Sequence, residues 1–306
     1  MPDPDVSSLP AGLASTIPAH QGAVLALAYN SDGQYALSGG HDKTVRLWNP
    51  RKGTQIKQYQ GTHGYEIRDI ACAFDNAKFA SCGGDRTVFV TDVASGRVLK
   101  RYSKHEQRVN VVAFNADASV LFSGSYDRTV CAWDLKSLSR DPIHVFKEAR
   151  DSVSGIVARS SEIIVSSVDG CVRAYDLRGG RVTTDHMGEA ITSLAVSSDD
   201  NCLLLSILGG YGIRLIDRSN GELLNEYSDS QGKISVSCQV DARFSRDDAF
   251  VVSGGEDGVI RCWDLVSGDL VRRLKAHQGV AARLVVHPTA TEMVSAGTDG
   301  TIRVWQ

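Results

Sequence analysis

Four times in this chain of 306 residues a tryptophan closes nearly the same phrase. Ser38–Trp48 reads SGGHDKTVRLW, Ser123–Trp133 reads SGSYDRTVCAW, Ser253–Trp263 reads SGGEDGVIRCW and Ser295–Trp305 reads SAGTDGTIRVW. Three degenerate copies fill the gaps, with Thr91, Tyr175 and Ile216 where the tryptophan stands, so the seven anchors follow at steps of 43, 42, 42, 41, 47 and 42 residues. That period belongs to a blade of four short strands rather than to a helical repeat. Seven such blades arranged in a ring account for nearly all of the chain, which overrides the two-domain prior that its length suggests.

The third copy shows how one unit is built. Val109, Val111 and Ala113 alternate with polar or smaller residues, and Asn115–Ala118 breaks the run. Val120–Phe122 gives a second strand, Ser125–Arg128 the next turn, Thr129–Trp133 a third strand and Ile143–Phe146 a fourth. The predicted fold is all-β, a seven-bladed propeller over residues 13–306 preceded by a disordered tail over residues 1–12. The last copy ends at a third strand, so blade seven lacks its fourth. Leu13–Pro18 is the unassigned segment able to supply it, and an N-terminal strand is expected to close the ring and remove the open sheet edge.

Four residue types recur with the period: a histidine before the first strand, a serine in the second, an aspartate in the following turn and a tryptophan in the third. Blades one, three and seven carry full sets, His20, Ser38, Asp42 and Trp48; His105, Ser123, Asp127 and Trp133; His277, Ser295, Asp299 and Trp305. Their pattern resembles the WD-repeat family, in which the imidazole lies between aspartate and serine and the indole N–H completes a buried chain of hydrogen bonds. Each member costs about 1–3 kcal/mol if buried without its partner, so the set is worth most when complete. Blade two has Thr91 for the tryptophan, blades four and six lack the histidine, and blade five has Gly210 for the aspartate; the arc from four to six is therefore expected to open first. A hydrolase triad uses the same residue types. The sets recur with the structural period and no GxSxG elbow is present, which points away from catalysis.

Net charge is −3, which gives no general attraction to phosphate backbones. The nearest basic run, Lys100, Arg101, Lys104 and Arg108, reads as a solvated blade edge. Seven cysteines lie singly within apolar runs without CxxC spacing, a usage suited to a reducing compartment. There is no phosphate-binding glycine loop, HExxH or calcium loop, the remaining histidines His41, His144, His186 and His287 share no metal spacing, and no run has the apolar length of a membrane span. No cofactor, metal, nucleic-acid or membrane partner is expected, and the chain is expected to be a non-enzymatic monomer that binds proteins.

Sites for such binding are sought on the central face. Residues just before each turn aspartate point there in the WD-repeat family: His41, Gly84, Tyr126, Val168, Gly209, Glu256 and Thr298. Positions one after the first apolar residue of each inner strand add Leu25, Arg68, Asn110, Ser154 and Thr192. His41, Arg68, Asn110, Tyr126 and Glu256 are the main partner-binding candidates, with Glu256 suited to a basic partner. The long step before blade six holds a polar insertion, Tyr227–Lys233, expected to project from the same face.

Stretches between the shared phrases narrow the resemblance. His63-Gly64-Tyr65-Glu66, Phe74-Asp75-Asn76, Glu148-Ala149-Arg150-Asp151, Ser167-Val168-Asp169-Gly170 and His287-Pro288-Thr289 are similar to the mitogen-activated protein kinase organiser family of seven-bladed WD-repeat scaffolds, with similarity from about His20 to Trp305. That resemblance implies a platform for MAP kinase cascade components in the cytoplasm and for spliceosomal proteins in pre-mRNA splicing in the nucleus. It also implies contact with an oxygen-sensing prolyl hydroxylase in animal members. Gly210 and the ending at Gln306, without the acidic extension expected of animal members, depart from the pattern and weigh against the animal-specific partners. A second class of function attaches to Tyr175-Asp176-Leu177-Arg178, which resembles the Trp-Asp-x-Arg box of substrate receptors docking on a cullin-4 ubiquitin ligase. There Arg178 would be the adaptor contact, although tyrosine stands in the first position.

Overall fold

The computed structural model describes residues 8–306 except 211, 231 and 233. It forms seven antiparallel sheets of four strands each, one per repeat. Strands are lettered a to d here, and the a strands of successive blades contact one another around the axis. Blade three runs Val109–Phe114, Val120–Ser125, Val130–Asp134 and His144–Phe146. Among the described residues the buried apolar side chains divide into seven clusters, one at each junction between neighbouring blades. Each strand therefore has one face against each neighbour, which is why the b and c strands are apolar almost throughout rather than alternating. Trp48, Trp133, Trp263 and Trp305 all pack towards the preceding blade.

The ring closes through the N-terminus. Leu13–Pro18 lies antiparallel to Thr301–Trp305 as the d strand of blade seven. Ile17 reaches the junction of blades seven and one, beside Val24, Trp48 and Val304. Residues on the N-terminal side of the expected tail boundary at residue 12 are also held in place. Leu9 is buried among Phe250, Met293 and Trp305, Gly12 exchanges two backbone hydrogen bonds with Gln306, and the Pro10 carbonyl accepts from Arg272. The part of the expected disordered tail over residues 1–7 lies outside the described residues.

The recurring polar residues are joined as chains. In blade three, His105 Nδ1 meets Asp127 at 2.9 Å and Nε2 meets Ser123 Oγ at 2.8 Å, while Trp133 Nε1 donates to the same oxygen at 2.8 Å. Blade one repeats this with 2.9, 2.7 and 2.8 Å, and blade seven with 3.1, 2.9 and 3.0 Å. A threonine two places after each aspartate, Thr44, Thr129 or Thr301, donates its hydroxyl to that carboxylate. Burial pulls His20 and His277 below the ordinary histidine value, and Arg46 and Arg303 push the same way. Blade three has Cys131 at the position of those arginines. There burial is outweighed by the hydrogen bonds to Asp127 and Cys131, and His105 is pushed up to about 9.

In the arc from blade four to blade six, arginines take the place of the histidines missing from blades four and six. In blade four Arg173, almost wholly buried, binds Asp169 at 2.7 Å and Ser167 Oγ at 2.7 Å. In blade six Arg261 is clamped between Asp257 at 2.5 Å and Asp229 at 2.7 Å. Asp229 belongs to the insertion and also holds Arg273, so this part of the insertion is structural rather than a projecting loop; positions 231 and 233 of the insertion lie outside the described residues. Blade five replaces the polar set with Leu203, Leu205, Ile213 and Ile216, all buried, and the Ser206 hydroxyl next to Leu205 is buried without a partner. A buried hydroxyl left unbonded costs about 1–3 kcal/mol, so blade five is where the arc departs from full satisfaction.

Closure through Ile17 gives a direct expectation. Ile17→Ala should cost about 2–5 kcal/mol, and removal of residues 1–18 should lower the melting midpoint by on the order of 10 °C or more. An unchanged melt followed by circular dichroism would refute the latch.

Candidate functional site

The a strands carry a local irregularity at the same place in six blades. Pairing register slips between Val24 and Ala26, Ile67 and Asp69, Val109 and Val111, Val153 and Gly155, Ile191 and Ser193, and Ala281 and Arg283. Each slip leaves one residue outside the ladder, namely Leu25, Arg68, Asn110, Ser154, Thr192 and Ala282. A bulge re-aims the side chain of its extra residue. Here it turns them to the rim of the axial opening.

Arg68, Asn110, Tyr126, Ser154, Val168 and Thr192 consequently share one cavity of about 310 Å³. A second cavity of about 250 Å³ joins it across Arg68 and Gln239 and takes in Leu25, Thr298 and Arg283. Asn110 Nδ2 donates to Ser152 Oγ at 2.8 Å and to the Val153 carbonyl at 2.9 Å, while its Oδ1 is buried without a partner. The Arg108 guanidinium lies 4.5 Å from the ring centre of Tyr126, which is half-exposed. Arg68 stands 3.7 Å from Glu66, and burial together with Arg108 and Arg283 lowers its pKa.

Other expected residues lie elsewhere. His41 is exposed and outside these cavities, and in blade five the wall comes from Leu208 rather than Gly209. Glu256 is not free for a basic partner: its carboxylate accepts the backbone N–H groups of Val236, Ser237 and Cys238 at 2.5–2.6 Å. Its role is to tie down the loop that enters blade six. Tyr175 is buried and donates to Glu148, and Asp176 accepts from the Arg178 and Gly179 amides. Arg178 itself is exposed on the turn between strands c and d of blade four, at the opposite end of that blade from its b–c turn at Val168.

Beneath the rim is a charged floor that the sequence reading missed. Arg283 binds Asp241 at 3.0 Å and donates to the carbonyls of Leu25 and Arg68, tying blade seven to blades six, one and two. Asp69 accepts the Val112 amide of the next blade at 2.9 Å. Asp69, Asp241 and Arg283 occupy the inner-strand position that holds Ala26 in blade one and Val111 in blade three; a charge at an otherwise small or apolar repeat position was the available signal. Burial pushes Asp69 up to about 6 in spite of Arg283 and the Val112 amide. Among the described residues no three His, Cys, Asp or Glu side chains are grouped to hold a metal, and no helix is long and apolar enough to cross a membrane. The Ser123 hydroxyl is fully buried and already bonded to imidazole and indole, so the Ser–His–Asp sets offer no reachable nucleophile.

This geometry is that of a WD-repeat propeller presenting an interaction face. The family model for the WD domain, G-beta repeat, matches residues 12–49, 53–92, 96–134, 221–264 and 268–306, and the chain belongs to that family. It is similar to WD repeat domain-containing protein 83 of Rattus norvegicus and of Homo sapiens, 42% identical to each over 305 residues, covering 100% of this chain and 95% of each relative. The WD repeat domain-containing protein 83 homolog of Dictyostelium discoideum is 32% identical over 315 residues, covering 94% and 95%.

The raised Asp69 predicts a pH effect of defined sign. The folded protein holds that proton up to about pH 6, whereas an ordinary aspartate releases it near 3.8. From this group alone, stability rises as pH falls from 6 towards 4 and is lowest above 6. Asp69→Asn should remove that component, so the difference between wild type and variant in urea midpoints should change across pH 4–6. A constant difference would contradict the assignment.

Proposed function

We propose that this protein is a non-catalytic, monomeric assembly platform that gathers MAP kinase cascade components in the cytoplasm and spliceosomal proteins in pre-mRNA splicing in the nucleus. WD-repeat propellers generally bind proteins. The observation that carries the reading is the central rim, where bulged and turn residues from several blades meet in a preformed cavity with an unpartnered amide oxygen and a tyrosine-supported arginine. Rigid placement of such groups favours interface anchors. A disc holding two partners raises their effective concentration for each other. The named partners rest on the resemblance of the segments from His63 to Thr289 to the kinase organiser family.

A second reading, substrate receptor of a cullin-4 ligase, is favoured by one observation, the exposure of Arg178 beyond a buried Tyr175. Its guanidinium is suited to a carboxylate.

Affinity purification from nuclear and cytosolic extracts, with wild type beside Arg68→Ala/Tyr126→Ala, tests the platform. Splicing factors recovered from nuclei and kinases from cytosol, both lost in the variant, are the expected outcome. Dominant recovery of the ligase adaptor, unchanged in that variant and abolished by Arg178→Ala, would replace this reading with the second.

A further inference from the structure

The basic run at residues 100–108 does not stay together in three dimensions. Lys100 turns to the Ser137 carbonyl at 2.5 Å, and Arg108 goes to Tyr126 on the central rim. Arg101 and Lys104 instead meet Arg140, from the c–d connection of blade three, around a surface pocket of about 460 Å³ that also includes the Ser103 hydroxyl and Asp141. Arg101 continues into a neighbouring groove of about 890 Å³ with Arg86, Tyr65, Phe89 and Val98.

What marks this edge is the convergence of three cations on one pocket. At several other junctions arginines lie against carboxylates, as in Arg51 with Glu292, Arg159 with Asp200 and Arg218 with Glu162, or against backbone carbonyls, as in Arg246 with Thr289. Arg86, Arg101, Lys104 and Arg140 form no ion pair among the described residues, and the pocket sets three cations against Asp141 alone. Arg101 is braced over the Phe89 ring at 5.7 Å. Three like charges brought together with a single carboxylate nearby favour a multivalent anion. The adjoining groove is different in kind: Tyr65 is 61% and Val98 44% exposed, which supplies apolar surface next to the cations.

We propose that this outer groove between blades two and three binds a phosphorylated segment of a partner protein, with the phosphate among Arg101, Lys104 and Arg140 and flanking apolar residues against Tyr65 and Val98. Arg86 meets a further acidic residue of the segment. A phosphate ester accepts several charge-assisted hydrogen bonds, and clustered arginines are a recurrent means of reading it. A single-stranded nucleic acid fits less well, since it needs a run of free aromatic rings for successive bases. Only Tyr65 is open here, because Phe89 is buried beneath Arg101 and against His63. This surface is separate from the central cavity, so both can be occupied at once.

The test is fluorescence anisotropy with a labelled degenerate nonapeptide library carrying a fixed central phosphoserine, beside the same library with serine. The phosphoserine library should bind at least about tenfold more tightly, and the preference should fall as salt is raised. Arg101→Glu/Arg140→Glu should abolish the preference with an unchanged melt, since both side chains are exposed, while Arg68→Ala/Tyr126→Ala should leave it intact. Equal binding of the two libraries, or a preference surviving the double charge reversal, overturns the proposal. Tighter binding and full competition by a uridine 12-mer would overturn it in favour of a nucleic-acid groove.

Discussion

A serine oxygen buried in the second strand of a blade calls for a bond, as do the imidazole and the indole that reach it, and among the described serines of these strands Ser206 of blade five alone goes without one. That requirement organises the repeat. Asp127 orients His105, His105 and Trp133 converge on Ser123, and the chain pins strand c, strand b and the turn between them to the loop entering the blade. With each link lost costing about 1–3 kcal/mol, the turn geometry is held as firmly as the core. Where the histidine is missing, Arg173 and Arg261 bring a guanidinium to the same aspartate from within strand c. The constraint is satisfaction of the buried groups, and more than one residue type meets it.

Pinned turns and a closed ring together produce the interaction face. Seven apolar junctions fix each blade against two neighbours, and Ile17 completes the last of them. The a strands then have no freedom to move from the axis, and the bulge near the start of six of them turns Arg68, Asn110 and their equivalents onto the rim. Arg283 bridges four blades below it, so the floor of the cavity is part of the ring's closure rather than an addition to it. The cavity is consequently present before any partner arrives.

Much of this was legible in the residues. The repeat of Trp48, Trp133, Trp263 and Trp305 at a blade's period defined the number of blades and the missing d strand, and the position just after the first apolar residue of the inner strand pointed to Arg68 and Asn110. What escaped was non-local. Nothing near Glu256 announces that three amides of the preceding loop will take its carboxylate, nor does Asp229 show that it will meet Arg261 across 32 positions. The cluster of Arg101, Lys104 and Arg140 needs two blades in contact before it exists. Fixed-offset local patterns survive reading from one chain; pairings set by how blades abut do not.

The central claim is that the arginine pairs and apolar packing of the arc from blade four to blade six hold it as firmly as the full residue sets hold the rest of the ring, even though the Ser206 hydroxyl of blade five is left without a partner. Native-state hydrogen exchange of the b and c strand amides tests it most directly. The account predicts that Ile163–Val165, Leu203–Leu205 and Val251–Ser253 exchange with opening free energies in the same range as Leu121–Ser123 and Val294–Ala296. Early, cooperative exchange confined to blades four, five and six would contradict it, and would mean that the arginine pairs and apolar fillings do not replace what the histidines and tryptophans provide.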